Sequence, residues 1–172
     1  MIHPKQYCGL PGNSVFEAVA AVRDAIAQAE IFQKPLCVLS IDFSAAFDKI
    51  SHEYIYIYIY MALEVHGLIA CFRQKIRRLY EHATSVILIN GFRSDQIQIK
   101  SSVRQGYPLS MILYVLCLNS LIQSLERKLN GIKLGRYQSK TAVIAHADDV
   151  TIFLTSVEDV PKLKDLLFPY DA

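Results

Sequence analysis

The sequence has no CxxC pair, no linker and no internal repeat of domain size, and its first residues contain no apolar run. Scattered cysteines argue against a disulfide framework or a zinc site and predict reduced core thiols in an intracellular protein of the nucleus or cytoplasm. The first residues lack the apolar segment of a signal peptide. The longest apolar stretch, residues 109–122, is interrupted by Ser110, Asn119 and Ser120, so we expect a buried helix and no membrane partner.

The bulk composition is that of a folded domain. The chain has 172 residues, of which 52% are hydrophobic and 20% are charged, which predicts one globular domain with a sizeable core. The formal net charge of +2 is mildly basic. It permits a nucleic-acid partner but does not by itself indicate one.

Local patterns predict both helices and strands. Ser14 and Glu17 form a capping box at the start of a helix. The nearly all-apolar run 36–42 is typical of a central strand buried on both faces. Alternating runs that meet at Asn90-Gly91 predict a hairpin with a type I′ turn, and apolar runs that meet at Asp148-Asp149 predict another. We therefore expect an α+β fold with an antiparallel sheet covered by helices on one face.

Carboxylates stand at the ends of two of these strands, Asp42 after the apolar run and Asp148-Asp149 in the second hairpin. One interpretation is ordinary turn chemistry, since Asp tolerates turn conformations. The other is a divalent cation, because adjacent partly buried carboxylates repel unless a positive charge lies between them. Magnesium suits such oxygen ligands, and two-metal phosphoryl or nucleotidyl transfer needs such a cluster. Because consecutive strand residues face opposite ways, one of the pair should be the main ligand and the other supporting. We expect Asp148 to be the main ligand.

Three segments in order, IDFSAAFD, RQGYPLS and HADD, resemble motifs A, B and C of reverse transcriptases, and most closely those of the non-LTR retrotransposon branch. Enzymes of the group II intron type are the nearest rival branch. Upstream, QYCGLPGNS resembles a short segment of the fingers, and ILINGFRSDQIQIK resembles the hairpin between motifs A and B. The resemblance extends over residues 6–167, almost the whole chain.

The resemblance implies a polymerase palm (36–172) with a remnant of the fingers (1–35) and no thumb. It implies a catalytic, metal-binding triad for two Mg²⁺ or Mn²⁺ ions, formed by Asp42, Asp148 and Asp149. It also implies template RNA, a DNA primer and dNTPs as partners. The implied nucleotide-binding residues are Phe43 through its backbone carbonyl, Phe47 beneath the deoxyribose, Arg104, Gln105 and Gly106.

Several of these residues also have plainer interpretations. Phe47 is also typical of an ordinary core residue, and a lone loop arginine such as Arg104 is more often solvated. The basic run of residues 73–78 suggests nucleic acid, although the solvated face of an amphipathic helix is favoured. His52 and His66 are expected at the surface or at helix ends.

Departures from the family pattern occur around the motifs. His146 replaces an aromatic residue, the finger segment lacks an arginine, and three motif B positions differ: Ser102, Tyr107 and Met111. With no thumb implied, we expect weak or absent primer extension. A catalytically inactive nucleic-acid-binding remnant and a structural domain are the alternatives.

The stretch EYIYIYIYMALE (53–64) alternates Ile and Tyr, which by itself predicts a strand. Both flanks, however, predict a helix. The interval from Asp48 to Gly67 is about four residues longer than in relatives, and slippage in an AT-repeat codon tract would explain two added Ile-Tyr units. Four residues turn a helix by about 400°, so its phase shifts by only about 40°. We therefore expect a helix from Ser51 to about His66 with a disturbed or bulged middle.

Overall fold

The computed structural model describes residues 2–59, 61, 64, 67, 70–134 and 139–167, without the side chains of 58 and 59. The described residues form two compact units. The first, here called the sheet unit, contains the residues between Ile2 and Ser44 and those from Leu118 onward. The second, the hairpin unit, contains those between Ala45 and Cys117.

The sheet unit begins with helix α1, Val15–Ile31. Its capping box is confirmed: the Glu17 amide donates to the Ser14 hydroxyl over 3.4 Å, and the Ser14 amide donates to the Glu17 carboxylate over 3.1 Å. Small side chains on one face of the helix are buried, and α1 contacts strands β6 (Ile132–Leu134) and β8 (Val143–His146) of the same unit. These core residues are Ala18, Ala25, Ala29, Ile132, Leu134, Ile144 and Phe153.

The main sheet contains strands β1 (Cys37–Asp42), β8 (Val143–His146) and β9 (Asp149–Leu154), in the antiparallel order β1-β9-β8. The prediction of a strand at residues 36–42 is confirmed, but the prediction that it is central and buried on both faces is wrong. Strand β1 is an edge strand, and none of its six residues is buried. The central position belongs to β9, in which Val150, Ile152 and Phe153 are fully buried. A local apolar run cannot reveal which strand gains two neighbours, because that depends on distant segments.

Smaller elements complete the sheet unit. Strands β6 (Ile132–Leu134) and β7 (Ser139–Thr141) pair antiparallel, and helix α6 is Asp159–Leu167, with Pro161 in its first turn. Near the N-terminus, Gln6 forms a parallel bridge to Ala145 of β8. The Tyr7 amide donates to Ala145 O over 2.7 Å, and the Ala145 amide donates to Lys5 O over 2.9 Å. Residues 5–7 therefore extend the sheet beside β8.

Among the described residues of the hairpin unit are three short helical segments and a longer helix. These are α2 (Ala46–Lys49), α3 (His52–Tyr54), a π-helical turn (Ile55–Ile59) and α4 (Ala70–Glu81). Its strands pair as β2 (Thr84–Ser85) with β5 (Ile97–Gln98) and as β3 (Leu88–Ile89) with β4 (Phe92–Arg93). Positive φ angles of 49° at Asn90 and 85° at Gly91 confirm the predicted I′ turn.

The Ile-Tyr repeat folds as a helix with an irregular middle, as expected for the described part. The π-helical turn begins at Ile55, which is buried in the core of the unit. The Tyr54 hydroxyl donates to the Cys117 carbonyl over 3.2 Å. Most of the predicted segment beyond Ile59, including His66, lies outside the described residues. π-helical turns are rare and occur mostly as single-turn bulges within helices, which is the irregularity expected here.

Helix α5, Pro108–Lys128, has 21 residues and is long and apolar enough to cross a membrane by length and composition. Half of its most apolar window is buried inside the protein, so its pattern is equally that of a core helix. The prediction of a buried helix is confirmed by its fully covered side chains, which include Leu113, Val115, Leu121, Ile122 and Leu125.

Two smaller predictions need correction. No disulfide joins the four cysteines, but only Cys117 is buried, where burial raises its pKa to about 12, while Cys37 and Cys71 are exposed. His52 was expected at the surface or at a helix end, and of these two expectations only the second is confirmed. It starts α3 but is buried, with Nε2 2.9 Å from the Ser102 carbonyl and its ring centroid 5.0 Å from that of Tyr80. A single polar side chain carries no sequence signal for the long-range carbonyl that satisfies it.

Candidate functional site

Two of the predicted carboxylates lie directly opposite each other in the sheet unit. Asp42 is the last residue of β1 and Asp149 is the first residue of β9, and the two are paired in register. Residues opposite each other in an antiparallel pair have neighbouring side chains on the same face. Both residues are exposed. The fold thus joins two acidic positions that are far apart in the sequence.

The turn that carries Asp148 differs in register from the prediction. His146 pairs with Asp149, so the turn residues are Ala147 and Asp148, and Asp149 already belongs to the strand. Ala147 has a φ of +54°. This left-handed conformation costs a non-glycine residue about 1–2 kcal/mol. Asp148 therefore lies at the tip of the hairpin, half-buried, immediately after a strained residue.

The carboxylates of Asp42, Asp148 and Asp149 are suitable ligands for a divalent cation, because magnesium prefers oxygen ligands of this kind. None of the three carboxylates takes part in a salt bridge within the described ranges. However, no group of three or more His, Cys, Asp or Glu side chains in the described part of the chain is close enough to hold a metal ion. The fold places Asp42 opposite Asp149 with Asp148 adjacent, but within the described residues the three carboxylates do not form a three-ligand cluster.

A groove of about 610 Å³ lies between α1 and the face of the sheet that carries Asp149. The wall from α1 is mostly apolar, with Val15, Val19, Val22 and Ile26, but it also includes the charged Arg23 and Glu30. The other wall is more polar and comes from the strands, which contribute His146, Asp149 and Thr151. Asp149 thus lies both beside Asp42 and Asp148 and in the lining of this groove.

Phe43 directly follows Asp42, lies in the sheet unit and is half-buried. The other predicted nucleotide-binding residues lie in the hairpin unit. Phe47 is half-buried there, packed against the core cluster, with its ring stacked on Tyr114 at a centroid distance of 4.9 Å and an interplanar angle of 27°. Phe47 is therefore a core contact in part, while the rest of its ring remains accessible.

The RQG segment is held by a carboxylate that sequence reasoning did not select. Gln105 Nε2 donates to Asp48 Oδ1 over 3.3 Å, and the Ser102 hydroxyl donates to the same oxygen over 3.4 Å. Asp48 is the second aspartate of IDFSAAFD, and that position within a motif was the available signal. Gly106 has a φ of +80°, which suits glycine. Asp48 thus orients the amide of a predicted nucleotide-binding residue.

Arg104 and the basic residues of α4 have mixed environments. Arg104 is not simply solvated, since its Nη2 donates to the Leu79 carbonyl over 3.5 Å and its guanidinium lies 5.6 Å from the Tyr107 ring centroid. On α4, Arg73 pairs with Glu64 at 3.1 Å and Arg77 pairs with Glu81 at 3.4 Å. Lys75, Arg77 and Arg78 are exposed, as the solvated-face interpretation expects.

Gln6 is a second residue that sequence reasoning did not single out, although it opens the QYCGLPGNS segment. Its side chain is fully buried and hydrogen-bonds to the backbone of Ala147, in the turn before Asp148. Cys8 lies nearby. Burial raises the pKa of its thiol, against a lowering effect of the Ala147 backbone, and the charge of Asp148 adds to the increase.

A family profile described as reverse transcriptase (RNA-dependent DNA polymerase) matches residues 1–168. The chain belongs to the reverse transcriptase family. Three retrotransposon proteins are similar to it. The transposon TX1 uncharacterized 149 kDa protein of Xenopus laevis is 28% identical over 172 residues, which is 100% of this chain and 13% of that protein.

The other two relatives of this reverse transcriptase domain are Pol polyproteins of insect R2 elements. That of the type-2 element R2DM of Drosophila melanogaster is 27% identical over 87% of this chain and 14% of its own length. That of the type-1 element R2 of Popillia japonica is 30% identical over 72% of this chain and 20% of its own length. The predicted membership of the non-LTR retrotransposon branch is confirmed.

The fold of this reverse transcriptase domain is also found in a solved structure. Apo telomerase of Candida tropicalis, truncated from its C-terminal domain, aligns with a TM-score of 0.64 at 13% identity, over 92% of this chain and 32% of that one. The predicted α+β polymerase palm fold is confirmed by this likeness. The chain spans 13–20% of the curated retrotransposon relatives described above.

Proposed function

We propose that this chain carries the nucleotidyl-transfer centre of a non-LTR retrotransposon reverse transcriptase, which adds dNTPs to a DNA primer on a template RNA. The pairing of Asp42 with Asp149, beside Asp148 in the turn, carries the proposal. Like charges directly opposite each other in a sheet are unfavourable unless a cation neutralises them. The family membership supplies the reaction class.

Asp42, Asp148 and Asp149 would hold Mg²⁺ or Mn²⁺, with the backbone carbonyl of Phe43 as a further oxygen donor. Bound as a pair, such ions activate the attacking oxygen and neutralise the leaving group. In the reaction, the primer 3′-hydroxyl would release its proton to solvent as its oxygen bonds to the α-phosphorus of the dNTP. The bond from that phosphorus to the bridging oxygen of the β-phosphate breaks, and pyrophosphate leaves with the electron pair.

The nucleotide-binding roles fall to residues of the hairpin unit. The accessible part of the Phe47 ring would lie against the deoxyribose and disfavour a 2′-hydroxyl. Gln105, whose amide is already oriented by Asp48, would contact the incoming nucleotide or the template base. Gly106 allows a close backbone approach, and Arg104 would contact phosphate.

A second candidate function is nucleic-acid binding without catalysis. It is favoured by one observation: within the described residues, no three side chains form a metal-holding cluster. The exposed Lys75, Arg77 and Arg78 of α4 would then contribute contacts to the phosphate backbone. In this case the carboxylates bind no metal, which separates the two functions experimentally.

The test is Mn²⁺ binding followed by electron paramagnetic resonance, with and without a dNTP. We expect Mn²⁺ to bind the wild type more tightly with the dNTP present, and binding to weaken at least about tenfold in Asp42→Asn and in Asp149→Asn. The matched control is Asp24→Asn, an exposed α1 carboxylate paired with Arg23 at 3.2 Å, which should bind Mn²⁺ like the wild type. Equal Mn²⁺ binding by all four proteins would overturn the catalytic proposal in favour of the second candidate.

Primer extension on an RNA template gives the complementary readout. We expect weak extension that requires Mg²⁺ or Mn²⁺ and disappears in Asp148→Asn. Extension that persists in Asp42→Asn and Asp148→Asn would contradict the roles assigned to these carboxylates.

A further inference from the structure

The buried side chain of Gln6 is hydrogen-bonded to both backbone groups of Ala147. Its Nε2 donates to the Ala147 carbonyl over 3.3 Å, and its Oε1 accepts from the Ala147 amide over 3.1 Å. The same Oε1 also accepts from the Cys8 amide over 3.0 Å. The primary amide thus pairs with one peptide residue as a neighbouring strand would, at a position where the hairpin turn offers no strand partner.

Ala147 needs such support. Its left-handed φ of +54° is unfavourable for an alanine, which lacks the local side-chain hydrogen bonds that help Asn or Asp adopt this conformation. It is also buried, so water does not satisfy its backbone groups. The conformation of the residue immediately before Asp148 therefore depends on a side chain 141 positions earlier in the sequence.

The position of Gln6 is itself fixed by the backbone on each side. Tyr7 and Lys5 hydrogen-bond to Ala145 over 2.7 Å and 2.9 Å, so the segment is held in register beside β8. Asn13 Nδ2 donates to the Gln6 carbonyl over 3.0 Å. The main chain is therefore fixed in register along β8. The backbone of Gln6 is bridged to Ala145, and its side-chain amide reaches Ala147, two residues further along.

We propose that Gln6 is a positioning residue for the acidic turn. By pairing with both backbone groups of Ala147, it holds the left-handed turn and so fixes the direction in which Asp148 and Asp149 leave it. The effect of Gln6 on metal binding rests on the function proposed above for these carboxylates. The effect of Gln6 on the conformation of the turn is independent of that function.

The central variant is Gln6→Met, which is similar in size but lacks both hydrogen-bonding groups. Hydrogen–deuterium exchange reports on the turn without any metal. We expect at least about tenfold faster exchange at the amides of residues 146–150 than in the wild type, with the amides of β1 and of α1 beyond its first turn unchanged. Mn²⁺ affinity should fall by about tenfold, as is typical when a group supporting a ligand is removed.

The matched control is Thr141→Val. Thr141 is fully buried in the same unit, and its hydroxyl has no hydrogen-bond partner within the described residues. This variant changes a buried polar group without touching the turn, so both exchange at 146–150 and Mn²⁺ affinity should stay at the wild-type level. Free energies of unfolding, measured by urea for every variant, separate loss of fold from local change.

A second substitution tests the cause. Glycine adopts left-handed backbone angles without strain, so in an Ala147→Gly background the Mn²⁺ loss caused by Gln6→Met should shrink to less than about threefold. Equal losses in both backgrounds would show that Gln6 does not act through the conformation of Ala147. Unchanged exchange at 146–150 in Gln6→Met would overturn the positioning role outright. If Asp149→Asn leaves Mn²⁺ binding unaltered while exchange rises in Gln6→Met, the proposed function fails and the positioning role stands.

Discussion

Asp42 and Asp149 lie directly opposite each other across the antiparallel β1–β9 pair, although 107 positions separate them in the sequence. Opposite like charges in a sheet are destabilising. In metal-free, low-salt buffer at neutral pH, Asp149→Asn should therefore raise the free energy of unfolding by about 0.2–1 kcal/mol. Urea denaturation measures this gain, which should shrink as added salt screens the repulsion.

A double-mutant cycle checks that the gain comes from this pair. Once Asp42→Asn has removed one charge, Asp149→Asn should add little further stability. Gains that simply add in the double variant would show that the two carboxylates do not repel each other. The same variants lose Mn²⁺ binding under the proposed function, so stability and metal affinity should change in opposite directions.

Asp48 is expected to matter more for nucleotide binding than for stability. Its hydrogen bonds to Gln105 and Ser102 are long and lie at the surface, so Asp48→Ala should cost less than about 1 kcal/mol of unfolding free energy. Because Gln105 loses its orientation, affinity for a dNTP with Mn²⁺ should fall by about three- to tenfold. The control is Asp95→Ala, in the exposed β-hairpin, which should keep the wild-type affinity. Asp48→Asn, which retains an acceptor oxygen, should restore most of the affinity lost in the alanine variant.

Replacement of Gly131 should disturb the fold of the sheet unit. It has a φ of +64°, and a Cβ there would lie 2.6 Å from Thr141 O and 2.8 Å from Ala142 N. Both contacts are with backbone, which cannot move aside like a side chain. Gly131→Ala should therefore lower the free energy of unfolding by more than about 3 kcal/mol, measured by urea denaturation.

Gly12→Ala is the matched control for Gly131→Ala. Gly12 also has a positive φ, of +86°, but a Cβ there would meet nothing within 4 Å. This variant carries only the conformational cost, about 1 kcal/mol. Similar losses in the two variants would contradict the assignment of a backbone clash to Gly131.

Stability should fall on the acidic side of neutrality in part because of His3. Burial lowers the pKa of His3 from its ordinary value of 6.5, with Glu126 acting in the opposite direction. The unfolded chain therefore binds the proton more readily than the folded one. The contribution of His3 to stability is fully present above pH 6.5 and is lost as the pH falls from there towards the folded-state pKa.

Protonation of His3 also removes a hydrogen bond. Its ring nitrogen Nδ1 accepts from the Lys5 amide over 3.3 Å and cannot accept once protonated. Urea denaturation of His3→Asn across this pH range should show a flatter profile than the wild type. Asn119→Ala is the control, because it removes the acceptor of the His3 amide, at 2.7 Å, and leaves the ring. It should lower stability by a similar amount at every pH. A His3→Asn profile as steep as that of the wild type would exclude His3 as the source.

Sequence reasoning succeeded where a feature is local. The capping box of Ser14 and Glu17 and the turn at Asn90-Gly91 depend on residues within a few positions of each other, and both are confirmed. The order of three motifs identified the family, which the match over residues 1–168 shows. The helical repeat was also predicted correctly in its described part, because the flanks outweighed the period-2 pattern.

Prediction from the sequence failed where a feature depends on residues that are distant in the chain. Strand β1 has the composition of a buried strand but lies at the sheet edge, since only the complete topology decides which strand has two neighbours. The turn register at Asp148 was also misplaced. Its left-handed residue is an alanine, whose conformation is supported by Gln6 from 141 positions away. Asp48 was overlooked because its hydrogen-bond partners lie more than 50 positions further along the chain.

The sheet unit is assembled from two stretches of chain, with residues 45–117 inserted between them. During synthesis the ribosome therefore releases β1 long before β9, its hydrogen-bond partner. The inserted stretch is continuous and has its own core, so it can begin to fold before β9 has been synthesised. Throughout this interval the unpaired edges of β1 are open to strands of other nascent chains. A truncated chain that ends before β9 would therefore keep the edges of β1 permanently unpaired.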